Sequence, residues 1–409
     1  MRKTLFLAAL VLISAGCFAQ KANVKKAKNL CLQEEPDFAA ARQAIGEALQ
    51  NEETKDDANT WYVAGLIGYT ENDFLNRAQA IGQTVDEQKK GQAVVESYDY
   101  FLVADQLAMT PKLDKKGKEV VDLKTRKNVI AKLSEYYDDR HQDLIKYGIY
   151  LNDQRDYRDA YEVFMRHLRM PDLPMMQEEK QQAKMPKDTI YYQYYYYAGL
   201  FATQAEMHPE AVAVFSAIKD GLYEPAACNQ FLYQEYLAMG DTVKGVQVLK
   251  DAIQKFPGES WFLQNLINYY VNSGNMDAAL NYLDQAIAAD PQAQYFISKG
   301  SILSLQKRFD EAVATYEQAL KIAPNDPAIY ENYGFVFTEK GNMLNDEAAY
   351  LPAKEYEKAK VAIDRAFQQA LPYFEKAYQL APDNADYKRA LRSLYYRLGD
   401  EAKYQQLAD

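Results

Sequence analysis

What most constrains this chain is a spacing. Pro257, Pro291 and Pro324 stand 34 and 33 residues apart, and the stretch before each reads as the same unit. The clearest copy is Ala293 to Pro324, AQYFISKGSILSLQKRFDEAVATYEQALKIAP. Two amphipathic segments flank Lys307-Arg308-Phe309-Asp310. Phe296, Gly300 and Leu303 share one helical face of the first, and Ala312, Tyr316 and Ala319 one face of the second. Pro324 then ends the unit, because proline has no backbone N–H and its ring collides with the preceding turn. A hairpin this short cannot bury its apolar stripe alone, but stacked copies bury it against one another.

The pattern resembles the tetratricopeptide repeat, a 34-residue helix-turn-helix with small residues at repeat positions 8, 20 and 27, a bulky one at 24 and proline at 32. Here Gly300, Ala312, Ala319, Tyr316 and Pro324 fill those places. The resemblance implies an all-α fold: a right-handed α-solenoid of helix-turn-helix repeats with helical insertions.

Laid along the chain, the template divides it as follows. Residues 1–19 read as a signal peptide. Repeats 1 and 2 span 20–111, with Asn29 at the small position of the first and an insertion at 71–92 ending in a polar EQKKGQ tip. A non-repeat insertion covers 112–140, with a turn at Gly117, an extended piece at Val120 to Leu123 and a helix from Asn128 to Tyr137. Repeat 3 is 141–174, followed by a linker at 175–191 expected to be the most mobile internal segment. Repeats 4–7 run through 192–326. Repeat 8 is 327–384 with an insertion at about 340–369, expected to add a separate helix from Pro352 to Gln369, after which Pro372 kinks or restarts the chain. A capping repeat at 385–409 closes the array.

Arg2 and Lys3 followed by an apolar run from Leu5 to Ala15, with Cys17-Phe18-Ala19 before Gln20, predict export and cleavage after Ala19 to the periplasm or an outer-membrane-associated site. A lipid anchor on Cys17 is the alternative, disfavoured because Ser14 stands where that motif carries an aliphatic residue. No later stretch is apolar enough for a transmembrane helix. Loss of Arg2 and Lys3 would take the net charge from −11 to −13, a balance that disfavours nucleic acid or an anionic membrane as partner, so that a basic patch would have to be local to matter. The short lysine clusters, Lys115-Lys116 among them, read as a solvated face. Cys31 and Cys228 fall in repeats too distant to be bridged, and read as small apolar fillers.

Candidates for catalysis are sparse. His141, His167 and His208 lack metal-ligand spacing with one another or with cysteine, and no phosphate-loop, dinucleotide, nucleophile-elbow or zinc-protease motif occurs. No catalytic residue, metal or cofactor is expected. His167, at repeat position 27, reads as a tolerated packing substitution.

Binding by this family uses the concave face of the first helix of each repeat. Transfer of its positions selects Tyr62 and Tyr69 in repeat 2, Gln193 and Tyr196 in repeat 4, Gln230 and Gln234 in repeat 5, and Trp261, Gln264, Asn268 and Asn272 in repeat 6. Repeat 7 adds Gln294 and Ser301. Amides can pair with the backbone of an extended peptide, and aromatic rings supply rigid contact area. A clamp for an acidic C-terminus would need several Lys or Arg at position 5, where only Arg389 is basic. The expected function is a non-enzymatic protein–protein interaction scaffold of the bacterial cell envelope, binding peptide segments or helices of envelope or secreted proteins. The alternative is glycan or peptidoglycan binding by the same Tyr, Trp, Asn and Gln groove. In the run Tyr191 to Tyr197, Tyr195 is assigned to packing and Tyr196 to contact.

Overall fold

Aspartate and asparagine side chains set where the helices begin. Asp37, Asp57, Asp86, Asp122, Asp156, Asp188, Asn275, Asp326, Asn384 and Asp400 each accept a hydrogen bond from a first-turn backbone N–H that would otherwise lack a partner. Pro257, Pro291, Pro324 and Pro382 each fall two residues beyond the last residue of a helix. The computed structural model describes residues 21–138 and 142–407. The expected signal peptide, its expected cleavage after Ala19 and Cys17 lie outside them, as does His141.

The chain forms an all-α solenoid, divided into two units: one ends at Val248, the other runs from Leu249 to Asp409. The first contains α1 (21–32), α2 (Phe38–Gln50), α3 (Ala58–Ala80), α4 (Glu87–Ala108), a two-stranded ribbon of β1 (Lys112–Leu113) and β2 (Glu119–Val120), and α5 (Leu123–Tyr137). It continues with α6 (Asp143–Asp153), α7 (Tyr157–Arg169), α8 (Glu179–Gln182), α9 (Thr189–Gln204), α10 (His208–Ile218) and α11 (Pro225–Ala238). The boundary falls inside α12 (Thr242–Lys255). The second unit holds α13 (Ser260–Asn272), α14 (Met276–Ala289), α15 (Ala293–Leu305), α16 (Phe309–Ile322), α17 (Pro327–Ala348), α18 (Ala353–Leu380), α19 (Ala385–Leu398) and α20 (Glu401–Gln406).

One contact recurs inside the hairpins. A Cβ placed on Gly65 would lie 2.6 Å from the Phe101 ring, on Gly148 2.4 Å from Phe164, on Gly199 2.6 Å from Phe215, on Gly300 2.6 Å from Tyr316 and on Gly334 2.7 Å from Phe374. The first helix lacks a side chain where the aromatic ring of the second sits against it. Ala211, Ala312, Ala319, Ala370 and Ala377, all fully buried, complete the crossing. The links between hairpin helices share a second device. Arg155, Glu206, Gly240, Gly274 and Lys307 are each the middle of a three-residue link, and all adopt left-handed backbone with φ between 56° and 75°.

Several sequence expectations need correction. Asn29 is exposed, and the packed face of α1 is Val24, Ala27 and Cys31. EQKKGQ is no tip: Asp86 caps Lys89 N at 2.9 Å and starts α4 there, so the insertion lengthens both arms of the second hairpin. Buried Glu71 anchors the lengthened part, paired with Arg42 at 2.6 Å and Lys89 at 3.1 Å. The insertion of repeat 8 is likewise no separate helix, because α18 continues through Pro372. Helix α5 starts at Leu123, five residues before the expected Asn128, because Asp122 caps it. The linker after repeat 3 is pinned down: Met175, Met176 and Met185 are buried, and the Gln182 amide donates to Pro171 O at 2.6 Å and Met176 O at 2.8 Å.

Candidate functional site

In the first unit, four of the six candidate residues are bound into the fold. Tyr62 is buried and stacks on Phe101 with ring centres 5.7 Å apart. Tyr69 is covered by α5: its hydroxyl donates to Glu135, its ring leans on Tyr136 at 5.7 Å, and Lys132 Nζ sits 4.0 Å from its centre. Burial, then the Glu135 carboxylate, holds the Tyr69 hydroxyl well above the usual phenol range. The non-repeat insertion thus occupies the face of α3 that the repeat pattern assigns to a ligand.

Tyr196 is the hub of an aromatic cluster, with Tyr223 at 5.5 Å, Tyr197 and Phe231 at 6.0 Å and Phe215 at 6.3 Å. Gln193 is half-buried, its amide 3.4 Å from Tyr197 Oη and 3.5 Å from Tyr223 Oη. Both therefore join α9 to the start of the next hairpin. Gln230 is half-buried and Gln234 exposed, one turn apart on α11. Tyr195 packs against Tyr191 at 5.1 Å.

The second unit differs. Gln264, Asn268 and Asn272 are all exposed, and their spacing puts them in one row along α13. Among the described residues, none of the three amides is hydrogen-bonded to another part of the chain. Trp261, one turn before Gln264, is half-buried and meets Phe262 edge-on at 5.3 Å. On α15, Ser301 bonds Tyr316 Oη at 3.0 Å and lies 3.4 Å from Asn332 Oδ1 on α17. One turn further, Leu305 is 63% exposed, and Phe335 on α17 is 44% exposed. Neither appears in the candidate set, although carrying the template to the last position of α15 would have selected Leu305.

Both described cysteines and His167 are withdrawn from solvent. Burial pushes the Cys228 thiol up to about 12 and the His167 imidazole down to about 4, and Cys31 is likewise buried and raised. Both cysteines are free thiols. His167 lies parallel on Tyr137 at 4.6 Å and packs where repeats usually place a small residue.

The family model for the tetratricopeptide repeat matches residues 265–327, from α13 into the first residue of α17. Human protein O-mannosyl-transferase TMTC1 is 26% identical over 205 residues, 49% of this chain and 20% of its own length. Mouse tetratricopeptide repeat protein 14 is 23% identical over 132 residues, 31% of this chain and 17% of its own. The chain thus spans about a fifth of the length of the curated relatives it matches. Among solved structures, the C-terminal part of a TPR repeat-containing protein from Cytophaga hutchinsonii is 17% identical, covering 64% of this chain and 92% of that one at a TM-score of 0.40. With the family match lying on α13 to α16, and Gly300 against Tyr316 closing the α15–α16 hairpin within it, the chain carries tetratricopeptide repeats.

Proposed function

We propose that this protein is a non-enzymatic scaffold that holds extended segments of partner proteins against the exposed faces of its first-in-hairpin helices. The observation that carries the reading is the row Gln264, Asn268 and Asn272 on α13, exposed and without internal hydrogen bonds among the described residues. Each amide offers two donors and a carbonyl acceptor, the complement of a peptide backbone. Leu305, on the first helix of the next hairpin, offers an exposed apolar side chain. Cys31, Cys228 and His167 are buried and held in their neutral forms, which turns these three side chains away from catalysis.

The proposed setting is the bacterial envelope, on the strength of Arg2, Lys3, the apolar run and Cys17-Phe18-Ala19 in the sequence. Among the described residues, no helix is long and apolar enough to cross a membrane. Glycan binding is the weaker reading, because three of the four candidate rings a sugar would stack on, Tyr62, Tyr69 and Tyr196, are engaged inside the fold.

The test is capture of partners from envelope extract by the immobilised protein, with Gln264→Ala/Asn268→Ala/Asn272→Ala alongside. Three lost hydrogen bonds predict retention weakened about tenfold or more, with an unchanged circular dichroism spectrum. Undiminished retention by the triple variant would remove the α13 face from the reading. Binding of oligosaccharides in place of protein would turn it toward glycans.

A further inference from the structure

We infer that the β1–β2 ribbon and the first turn of α5 form a docking surface for an anionic lipid bilayer. Between Lys112 and Lys127 the chain carries seven Lys or Arg against three Asp or Glu, in a protein of net charge −11. Two of the cations are engaged: Lys112 Nζ donates to Asp56 O at 2.6 Å, and Arg126 pairs with Asp105 at 3.3 Å. Lys115, Lys116, Lys118, Lys124 and Lys127 are exposed and, among the described residues, form no ion pair.

Two of the three acids are turned inward. Asp114 Oδ1 accepts from Lys116 N at 2.8 Å and Lys118 N at 2.9 Å, and Asp122 accepts from Thr125 N at 3.0 Å and Thr125 Oγ1 at 2.6 Å. These bonds fix the turn and the helix start, and leave the local field positive. The ribbon is also held at its base, where Asp122 N donates to Ala108 O at 2.8 Å.

Apolar side chains stand among the lysines: Leu113 is 72% exposed, Leu123 64% and Val120 43%. Pairing puts Leu113 opposite Glu119 and Lys112 opposite Val120, so Leu113 and Val120 leave opposite faces of the ribbon. A rigid protein groove would take one face, whereas a deformable bilayer interface takes both while its headgroups neutralise the lysines. These lysines thus form a local basic patch on an acidic chain rather than a merely solvated face.

The test is flotation of the full chain with vesicles of phosphatidylcholine, with and without phosphatidylglycerol. Expected is retention on anionic vesicles above that on neutral ones, falling as salt rises. At roughly fivefold per lysine near such a surface, Lys115→Gln/Lys116→Gln/Lys118→Gln should lose that excess by about a hundredfold. Leu113→Ser should weaken it further at high salt, where only the apolar part remains. The substituted side chains are all exposed, so circular dichroism should be unchanged. Equal retention on the two vesicle types, or an excess untouched by the triple variant, overturns the inference. So does loss of self-association by that variant in sedimentation without any vesicle binding, which would make the ribbon a contact between protein copies.

Discussion

Gly300 and Tyr316 share a space that holds only one side chain. Three atoms of the tyrosine ring would lie 2.6 to 2.9 Å from any Cβ on Gly300, whereas nothing lies within 4 Å of one on Gly46, in α2. Alanine is favoured over glycine in a helix by about 1 kcal/mol, while overpacking costs about 1–3 kcal/mol. Gly300→Ala should therefore destabilise and Gly46→Ala stabilise, a difference of sign that urea denaturation of the two variants would read directly.

His167 should give stability a defined acid dependence. Unfolded, an imidazole takes up a proton near pH ~6.5, but in the fold this one stays neutral until about 4 because charging it would bury a cation. Protons favour the unfolded chain in that window, so the contribution is intact above ~6.5 and declines as pH falls toward 4, by about 3 kcal/mol in all. His167→Phe keeps a ring against Tyr137 and should flatten the pH profile of unfolding free energy between those limits.

The hairpin crossing was legible because it is local and repeated. Glycine or alanine at fixed spacing from an aromatic ring, with proline beyond, leaves one way to close the pair, and Gly148, Gly199, Gly300 and Gly334 all sit where that spacing put them. Continuity was less legible: helix-forming residues read alike whether they extend one helix or start another, so α18 looked like two. The binding face was misjudged where distant segments intervene. Nothing near Tyr69 announces that α5 will cover it, and Tyr196 is enclosed by Tyr223 and Phe231 of the next hairpin. On α13, where no such segment arrives, Gln264, Asn268 and Asn272 are exposed as their positions implied.

The left-handed link residues were visible in sequence only where they are Gly240 and Gly274. Lys307 adopts the same conformation with φ 61°. Its Cβ pays a steric penalty of roughly 1–2 kcal/mol that glycine avoids, partly offset by the greater freedom of glycine in the unfolded chain. Lys307→Gly should raise stability by about 0.5–1 kcal/mol in a denaturant titration, and Gly274→Ala should lower it.

Buried Glu235 ties α9 and α10 to α11. It accepts from Thr203 Oγ1 at 2.6 Å and bonds His208 Nδ1 at 2.7 Å. Glu235→Leu leaves both partners unpaired and should cost about 1–3 kcal/mol by thermal unfolding. A double-mutant cycle with Thr203→Val should return a coupling on the order of 1 kcal/mol.

Pro372 is exposed on α18 and withholds an N–H from the helix that runs through it. Pro372→Ala should restore that bond and raise the melting temperature, with a gain of about 1–3 kcal/mol.

The lengthened hairpin of α17 and α18 carries a second close approach: a Cβ on Gly341 would lie 2.7 Å from the ring of Phe367. Relative to Gly334 and Phe374 this is one heptad up the first arm and one heptad down the second, the period with which knobs fill holes in an antiparallel coiled coil. The added turns thus obey the same rule of contact as the hairpin they extend. A second seat one heptad away keeps the two arms at the same distance as at their base, so the long arm is accommodated without loss of the Gly334–Phe374 seat.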